Sequence, residues 1–387
     1  MLHRLQNVTL FSPKPLGTYH LLIAASKIVA ISKNPIKIDA SLLASDEDFG
    51  GKRVIPGIID AHAHITGGGG EAGFKTKVPA LHLSQYTQAG VTTVVGLLGT
   101  DDTTRNTSSI IAQVYALREE GLSAWCYTGG YHIPLSTLTG SVRKDIVHIE
   151  AIIGVGELAI SDHRSSQPTF DEIARIAGDV HVAGIMTGKA GIVHFHLGDG
   201  SRKLDLIEKL LDETEIPPRV LNPTHCNRNI PLFKQACELT KRGINIDVTA
   251  FPPTNSDEEY SAAESFRRYK KAGFDMSKLT ISSDGGGCLP HFDEQGELLH
   301  LDYGRCTLLS DTLKELLDEG YKLNEVMPVF TSNVAKLLRL HNKGTLEVGK
   351  DADLVILDND NKIESVMALG SWHQKNHKTI RKGGFEQ

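Results

Sequence analysis

The sequence predicts an α/β fold, a (β/α)8 TIM barrel with a small β-sandwich domain formed by the two chain ends. Short apolar strands alternate with helices eight times through the middle of the 387-residue chain. The two ends contain turns and strands without helices, and histidines or carboxylates follow several of the middle strands. Eight alternations of this kind are typical of a parallel barrel, whose functional side chains lie at the carboxyl ends of its strands.

The two ends of the chain are expected to pair into one domain. Residues 1–53 contain short alternating strands with a turn at 12–17, and the pattern near the other end is again turn and strand. Either end alone would leave a sheet face unburied. The predicted division is therefore a β-sandwich of residues 1–53 and 342–387 and a barrel of residues 54–341.

The elements of the barrel follow from hydrophobic periodicity. The predicted strands are 54–62, 92–98, 124–129, 157–161, 191–196, 221–225, 245–249 and 279–283. The helices predicted between them are 78–89, 108–120, 142–153, 169–183, 204–214, 231–242 and 258–272. Two further helices, at 308–319 and 323–340, are expected to close the barrel.

Composition and charge exclude several classes of function. The net charge is −6 and the lysines and arginines form no basic stripe, so nucleic acid is not an expected partner. No apolar run reaches the roughly 18 residues of a membrane helix, and the N-terminus lacks the pattern of a secretory signal. Five cysteines without a C-x-x-C pair do not predict a disulfide framework. We therefore expect a cytoplasmic protein that does not bind membranes.

The first predicted barrel strand leads into two histidines. The apolar run from Val54 ends in His62 and His64, and it is typical of a strand buried on both faces. Side chains alternate along a strand, so both histidines are expected to point the same way and to supply half of a metal site. The glycines at 67–70 allow the backbone to turn sharply beside it.

Polar side chains near the ends of the remaining strands are expected to supply the other half. The candidates at the strand ends are His62, His64, Thr100, Tyr131, Glu157, His196, His225 and Asp284. A single histidine is more often a hydrogen-bonded core residue than a ligand. Four histidines, a glutamate and an aspartate on one rim, however, are the ligand types that zinc and similar divalent ions prefer.

This set of ligands predicts hydrolysis of an amide-like bond. Two ions roughly 3.5 to 4 Å apart can share a hydroxide and polarise a carbonyl together, and a carboxylate can bridge them. Asp284, at the last strand, is expected to take the proton from that hydroxide and pass it to a leaving amine. No covalent intermediate with the chain is needed.

Seven motifs spread over most of the chain share one family pattern. They lie at 57–64, 67–73, 96–100, 139–142, 160–165, 223–229 and 282–285. With these motifs the chain resembles the amidohydrolase superfamily, and within it the isoaspartyl (β-aspartyl) dipeptidases. The His-x-His strand alone indicates only the superfamily. The sequences Gly-Gly-Gly-Gly-Glu, from Gly67, and Ser-Asp-His-Arg-Ser, from Ser161, are more particular.

The resemblance implies a binuclear zinc enzyme that cleaves the isopeptide bond of β-aspartyl dipeptides through a metal-bridging hydroxide. It implies that His62, His64 and Asp284 hold the more buried ion. It also implies that His196 and His225 hold the more exposed ion. A homo-oligomer is implied as well, and an octamer is one form that it could take.

The resemblance further implies which residues contact the substrate. Tyr131 would stabilise the oxyanion, Glu71 would bind the free α-amino group, and Thr100 with two arginines would bind the carboxylates. A planar guanidinium suits a carboxylate and a carboxylate suits an ammonium, so the chemistry agrees with these roles. The implied substrate-binding residues are Gly69, Glu71, Thr100, Arg164, Arg228 and Cys288.

Two positions depart from the family pattern. The family usually bridges its ions with a carboxylated lysine on the fourth strand, where this chain has Glu157. Glutamate is shorter, so either the strand bulges inward, which the neighbouring Gly156 allows, or the ions shift. We expect the two ions to be bridged, with a single ion as the fallback. Activity should then not depend on carbon dioxide. Cys288 stands where the family commonly has a serine that helps to hold the substrate, and a thiol is a weaker hydrogen-bond donor.

Two other functions remain open at this stage. The first is another amidohydrolase, acting on a cyclic amide or an N-acyl amino acid with an acidic group. Glu71 distinguishes it, because only a substrate with a free α-amino group needs that carboxylate. The second is a non-catalytic metal-binding protein on the same barrel, which predicts that Asp284 and Tyr131 can be replaced without loss of function.

Overall fold

The computed structural model describes residues 2–252, 258–292 and 298–386, and it contains a parallel barrel and a mixed sheet built from both chain ends. The strands are β1 Leu2–Ser12, β2 Lys14–Ala24, β3 Lys27–Ser32, β4 Leu43–Asp48, β5 Arg53–Pro56, β6 Ile58–Ala63, β7 Val91–Gly96, β8 Ser123–Thr128, β9 Ile152–Ile160, β10 Ile192–Leu197, β11 Leu221–Thr224, β12 Ile246–Thr249, β13 Leu279–Ser282, β14 Cys288–Phe292, β15 Leu298–Tyr303, β16 Leu354–Leu357, β17 Ile363–Ala368, β18 Ser371–Lys375 and β19 Lys378–Thr379. The helices are α1 Leu83–Thr87, α2 Thr107–Glu119, α3 Val142–His148, α4 Phe170–Thr187, α5 Asp205–Glu213, α6 Ile230–Thr240, α7 Ala262–Lys271, α8 Thr307–Asp318, α9 Leu323–Val326 and α10 Ser332–Leu337. None of these described helices has the length and apolar character needed to cross a membrane.

Strands β6 to β13 form the barrel, in chain order. Strands β6 to β11 make one parallel hydrogen-bonded sheet, and β12 pairs with β13 in parallel. Two backbone contacts join these pieces: the Cys226 N–H donates to the Asp247 carbonyl at 3.1 Å, and Ala63 forms a parallel bridge with Gly285. The predicted (β/α)8 barrel is confirmed, and its strand ends meet at one face.

The first predicted barrel strand, 54–62, proves to be two strands. β5 pairs with β16 in the sheet of the chain ends, whereas β6 pairs with β7 and begins the barrel. Gly57 lies between them, and a Cβ at this position would approach the Thr92 hydroxyl to 2.0 Å, so only glycine permits the passage. Nearly all residues of both strands are buried, which explains why their apolar residues form one uninterrupted run.

Several further elements differ from the predictions, and of the helix predicted at 78–89 only α1, Leu83–Thr87, is helical. The strand predicted at 157–161 is β9, which already begins at Ile152, and the helix predicted at 142–153 is correspondingly shorter. The helix predicted at 323–340 is divided into α9 and α10 by a 3-10 turn that contains Pro328, whose nitrogen carries no hydrogen to donate. The hairpin of β14 and β15, which follows the last barrel strand, is absent from the predicted elements.

The two chain ends pair with each other, as the sequence predicts. β5 pairs with β1 in parallel and with β16 in antiparallel fashion, so that β1 to β5 and β16 to β19 belong to one nine-stranded sheet. This sheet has an apolar core of its own, which includes Leu5, Leu21 and Met367. The domain boundaries near residues 53 and 342 stay a prediction.

A buried lysine links this sheet to the barrel. The Lys343 ammonium lies 2.5 Å from Asp353 Oδ2, 2.8 Å from Asp351 Oδ2 and 2.6 Å from the hydroxyl of Ser123 on β8. Lys343 is only 6% exposed, so its charge is balanced by these carboxylates rather than by water. The contact is a structural link, remote from the carboxyl ends of the barrel strands.

We expect Lys343→Met to lower the free energy of unfolding by about 3 to 5 kcal/mol, because it leaves the buried carboxylate of Asp353 without its counter-charge. Asp351 keeps its contact with Lys27. Urea unfolding followed by circular dichroism measures the change. The matched control is Lys314→Met, which removes an exposed ammonium paired with Asp318 and should change the unfolding curve little. Equal losses in both variants would contradict the role assigned to Lys343.

Candidate active site

The six predicted metal ligands meet at the carboxyl ends of the barrel strands. They are His62, His64, Glu157, His196, His225 and Asp284. All six are buried, and the most exposed of them, Asp284, is 8% exposed. Burying so many polar groups is costly unless they are paired or bind a metal, so their mutual contacts decide what the site can hold.

One group of ligand atoms surrounds Asp284. Its Oδ1 lies 3.1 Å from His64 Nε2 and 3.4 Å from His62 Nε2. One ligand atom from each of the three side chains lies within 4.8 Å of the other two. In the described part of the chain, His62 Nε2 and Asp284 Oδ1 are buried without a hydrogen-bond partner.

Glu157 lies at the centre of a second group. Its Oε2 is 3.0 Å from His196 Nδ1 and 3.4 Å from His225 Nε2. The same oxygen is 3.7 Å from His62 Nε2, and Oε1 is 3.5 Å from His64 Nε2. Glu157, His62 and His225 form the second set of atoms within 4.8 Å, and His196 contacts Glu157 from outside that set. Glu157 therefore faces ligands of both groups, which is the position that a bridging carboxylate requires.

The strand that carries Glu157 is bulged at this point. Between the pairs Val155–Val193 and Leu158–Phe195, two residues of β9 lie opposite a single residue of β10. A bulge of this kind inserts one extra residue and redirects a side chain. Of the two alternatives, bulge or shifted ions, the structure shows the bulge, which accounts for how a side chain as short as glutamate reaches the ligands.

Hydrogen bonds behind the ligands orient the lone pair of His62. The Asn222 amide N–H donates to the Asn245 carbonyl at 2.9 Å, which leaves Asn222 Oδ1 to accept from His194 Nδ1 at 2.7 Å. His194 Nε2 then accepts from His62 Nδ1 at 2.8 Å. By this assignment His62 presents the lone pair of Nε2 to the two carboxylates of the site.

Asp162 orients His196 in the same way. Asp162 Oδ2 lies 3.0 Å from His196 Nε2, and a metal ion held by His196 Nδ1 requires the tautomer in which Nε2 carries the hydrogen and donates it to Asp162. The lone pair of His196 Nδ1 is then directed at Glu157 Oε2, 3.0 Å away. Lone pairs that converge in a buried site repel one another unless a cation lies among them, so this set of nitrogen and oxygen atoms fits divalent metal ions.

Burial and neighbouring groups shift the pKa values of the two carboxylates of the site in opposite directions. Burial, reinforced by the charge of Asp284, raises the pKa of Glu157 well above its ordinary value. Burial acts in the same direction on Asp284, but the imidazoles of His62 and His64, when their Nε2 atoms carry hydrogen, outweigh it and hold the pKa of Asp284 well below its ordinary value. Asp284 is therefore the carboxylate that ionises more readily, whereas the charged form of Glu157 requires a cation beside it.

Tyr131 lies beside the ligands. Its hydroxyl is 2.7 Å from His196 Nδ1, and the guanidinium carbon of Arg164 lies 5.6 Å from the centre of its ring. Burial, followed by the charge of Glu157, raises the pKa of Tyr131 well above its ordinary value. The phenol keeps its proton and is able to donate a hydrogen bond.

Several predicted substrate-binding residues lie in contact with one another. Glu71 Oε1 accepts from the Thr100 hydroxyl at 3.2 Å and lies 3.5 Å from Arg164 Nη1, and the side chains of Glu71 and Arg164 are each about one quarter exposed. Gly69 lies against Cys288. A Cβ on Gly69 would come within 2.8 Å of the Cys288 Cβ, and its φ of +76° also favours glycine.

Arg228 and Cys288 complete the predicted substrate-binding residues. The Arg228 guanidinium carbon lies 5.9 Å from the centre of the Phe251 ring, and Phe251 stacks on His225 with ring centres 5.8 Å apart. Arg228 Nη1 also lies 3.9 Å from Asp199 Oδ2. Burial raises the pKa of Cys288 to about 11, so its thiol is neutral near pH 7.

Asp162 and Asn222 both orient predicted ligands, although the sequence patterns predict no role for either residue. Asp162 is part of the Ser-Asp-His-Arg-Ser motif, and its position two residues before Arg164 is the only signal that the sequence offers. Asn222, on β11, gives no such signal, because its contact with His194 joins two neighbouring strands. His163, from the same motif, has a 91% exposed side chain and is not a ligand candidate.

Comparison with known proteins agrees with this geometry. The model of the amidohydrolase family matches residues 53–373. The chain belongs to the amidohydrolase family. It is a hydrolase of this family, and its two sets of buried histidines and carboxylates suit the metal dependence of the superfamily.

Two solved structures and one curated relative illustrate the similarity. The β-aspartyl dipeptidase from the thermophilic, keratin-degrading Fervidobacterium islandicum AW-1, crystallised with a β-Asp-Leu dipeptide, is 40% identical with a TM-score of 0.90 over 98% of both chains. A dihydropyrimidinase from Brevibacillus agri NCHU1002 shares the fold at 17% identity, with a TM-score of 0.68 over 99% of this chain and 97% of that chain. A dihydroorotase from Endomicrobium trichonymphae is 24% identical in an alignment of 356 residues that covers 80% of this chain and 80% of that protein.

Proposed function

We propose that this chain is a metal-dependent hydrolase that cleaves the isopeptide bond of β-aspartyl dipeptides. The observation that carries the proposal is the contact of Glu71 with Arg164 near the metal-ligating groups. A β-aspartyl dipeptide has a free α-ammonium group and carboxylates, and this pair offers a carboxylate and a guanidinium to bind them. The 40% identity with a β-aspartyl dipeptidase supports the same substrate class.

Two metal ions per chain, with zinc as the metal, belong to the proposal. The side chains that would hold them are His62, His64 and Asp284 for one ion, His196 and His225 for the other, and Glu157 between the two. When bound, such ions lower the pKa of water and polarise the carbonyl that is attacked.

The chain's own residues then bind the substrate and move the proton. Asp284, which stays ionised, accepts a proton from water and delivers it to the leaving amine. Tyr131, which keeps its proton, donates a hydrogen bond to the oxyanion. Glu71 holds the α-ammonium group, and Arg164 and Arg228 hold carboxylates.

The test is hydrolysis by the purified, zinc-loaded protein of a panel of β-aspartyl dipeptides, run beside their α-linked isomers and N-acetyl-aspartate. We expect cleavage of the β-linked dipeptides alone. Metal analysis of the same sample should find about two ions per chain, as in two-metal hydrolases. Cleavage of N-acetyl-aspartate without cleavage of any dipeptide would contradict the proposal.

Replacing Glu71 by glutamine separates the dipeptidase from the alternative amidohydrolase. We expect Glu71→Gln to lower kcat/KM for β-Asp-Leu by about 30-fold or more, because losing the charge opposite a bound ammonium costs about 2 kcal/mol or more. Steady-state kinetics measure the change, and the metal content should stay the same because Glu71 is not a proposed ligand. Unchanged activity would favour an acylated or cyclic substrate, which has no ammonium to bind.

The proposal includes a cytoplasmic location and a homo-oligomer, of which an octamer is one form. All five cysteines are free, which supports a reducing compartment. Sedimentation of the purified protein measures the number of subunits.

A further inference from the structure

Asp162 contacts both a proposed metal ligand and a proposed substrate-binding residue. Its Oδ1 accepts from Arg164 Nε at 3.0 Å and from the Arg164 backbone N–H at 2.7 Å. Its Oδ2 accepts from Arg164 Nη2 at 2.7 Å and from His196 Nε2 at 3.0 Å. The Asp162 side chain is 3% exposed, so water does not compete for these bonds.

We propose that Asp162 is a positioning residue that couples binding of the substrate carboxylate by Arg164 to retention of a metal ion by His196. The inference rests on the proposed function for the role of Arg164. Its physical basis is that one oxygen, Oδ2, accepts from both side chains, whose donating nitrogens are 3.4 Å apart. Any shift of the Arg164 fork therefore moves the oxygen that orients the imidazole of His196.

This arrangement has consequences in both directions. A carboxylate behind a metal-ligating histidine fixes its tautomer and ring orientation, and its loss typically weakens metal binding about 10- to 100-fold. The same carboxylate holds the guanidinium of Arg164 through two parallel bonds, which leaves Nη1, 3.5 Å from Glu71 Oε1, directed at the proposed substrate-binding residues. Because binding free energies are linked reciprocally, a substrate carboxylate bound to Arg164 should favour a metal ion bound to His196, and the bound metal ion should favour the carboxylate.

Asparagine at position 162 cannot reproduce these contacts, although it has almost the same shape. All four groups that point at the Asp162 carboxylate are donors, two on each oxygen. An amide offers only one oxygen, so its NH2 group must face two donors in either orientation. The variant therefore disturbs Arg164 and His196 together while it conserves volume.

The experiment compares Asp162→Asn with Asp102→Asn in the full chain. Asp102 is a matched control, because it contacts His132 Nδ1 at 3.2 Å and His132 in turn contacts the Arg164 carbonyl, yet His132 is not a proposed ligand. Zinc affinity of the metal-free proteins is measured by chelator competition, and circular dichroism checks folding. We expect Asp162→Asn to bind one of its ions about 10- to 100-fold more weakly and Asp102→Asn to bind zinc as the unchanged protein does.

Coupling is tested by adding Arg164→Lys, which keeps the charge but loses the fork. Asp162→Asn alone should raise KM for β-Asp-Leu, because it releases the guanidinium of Arg164. In the Arg164→Lys background we expect Asp162→Asn to weaken zinc binding by a smaller factor than in the unchanged protein and not to raise KM further. If the two substitutions have additive effects on zinc affinity, the coupling is refuted. It is also refuted if Asp162→Asn binds zinc as tightly as the unchanged protein, or if its zinc affinity falls only as much as that of Asp102→Asn. Zinc affinity is measured without substrate, so the two proposals can fail separately. If the protein cleaves no β-aspartyl dipeptide but the effects on zinc affinity are non-additive, the proposed function is refuted and the coupling between Arg164 and His196 stands.

Discussion

Asp284→Asn should lower kcat for β-aspartyl dipeptides by about 10²- to 10⁴-fold, the range for loss of a general acid–base group. Asparagine keeps the shape of the side chain and one oxygen, but it cannot accept a proton from water or deliver one to the leaving amine. The imidazoles of His62 and His64 hold the pKa of Asp284 well below its ordinary value despite burial, so the lost group is an ionised base.

Loss of metal must be separated from loss of proton transfer. We would measure kcat at saturating zinc, with the metal content determined on the same sample. Asp212→Asn is a suitable control, because Asp212 pairs with Arg242 on the outside of the barrel and is 61% exposed. If the Asp284→Asn variant binds the metal ions and keeps most of its kcat, the result would contradict the role of Asp284 in proton transfer. It would match what the alternative of a non-catalytic metal-binding protein predicts for this position.

The ligands could be predicted from the sequence because each follows from a local rule. His62 and His64 are spaced so that they share one face of a strand, His225 directly follows β11, and Asp284 lies two residues after the end of β13. Such rules need only the period of a strand and the knowledge that parallel strands end on one face. They predict which residues meet, and the structure brings these side chains within 4.8 Å in two groups.

The sequence places His194 beside the site, as an outer partner of a ligand or a structural residue, but the individual contacts that orient the ligands could not be predicted in this way. His62 and His194 are 132 residues apart, and which ring nitrogen of each faces the other depends on the packing of the whole barrel. The division into β5 and β6 at Gly57 could not be predicted either. Strands that are buried on both faces show no alternation of apolar and polar residues that would mark where one sheet ends and the next begins. Glu157 was assigned correctly to the fourth barrel strand, but it lies inside β9 rather than at its start.

Glu157→Gln should weaken metal binding more than the loss of a residue that only hydrogen-bonds a metal ligand, which costs roughly 10- to 100-fold. The reason is that Glu157 contacts ligands of both groups directly. The amide has one acceptor oxygen and no charge to offset two cations. We expect about one ion or fewer per chain and almost complete loss of dipeptide hydrolysis. Metal analysis after dialysis and single-turnover assays measure both. Retention of two ions with full activity would exclude Glu157 as the bridge.

The unchanged protein offers an independent check of the same bridge. A carboxylated lysine forms by adding carbon dioxide to an amine, whereas Glu157 already carries its carboxylate within the bulge of β9. Metal-free protein that is reloaded with zinc in buffer purged of carbon dioxide should therefore regain the same activity and metal content as protein reloaded with bicarbonate. If bicarbonate increases either quantity, a lysine elsewhere contributes to the site, and the two groups of ligands around Glu157 do not account for metal binding.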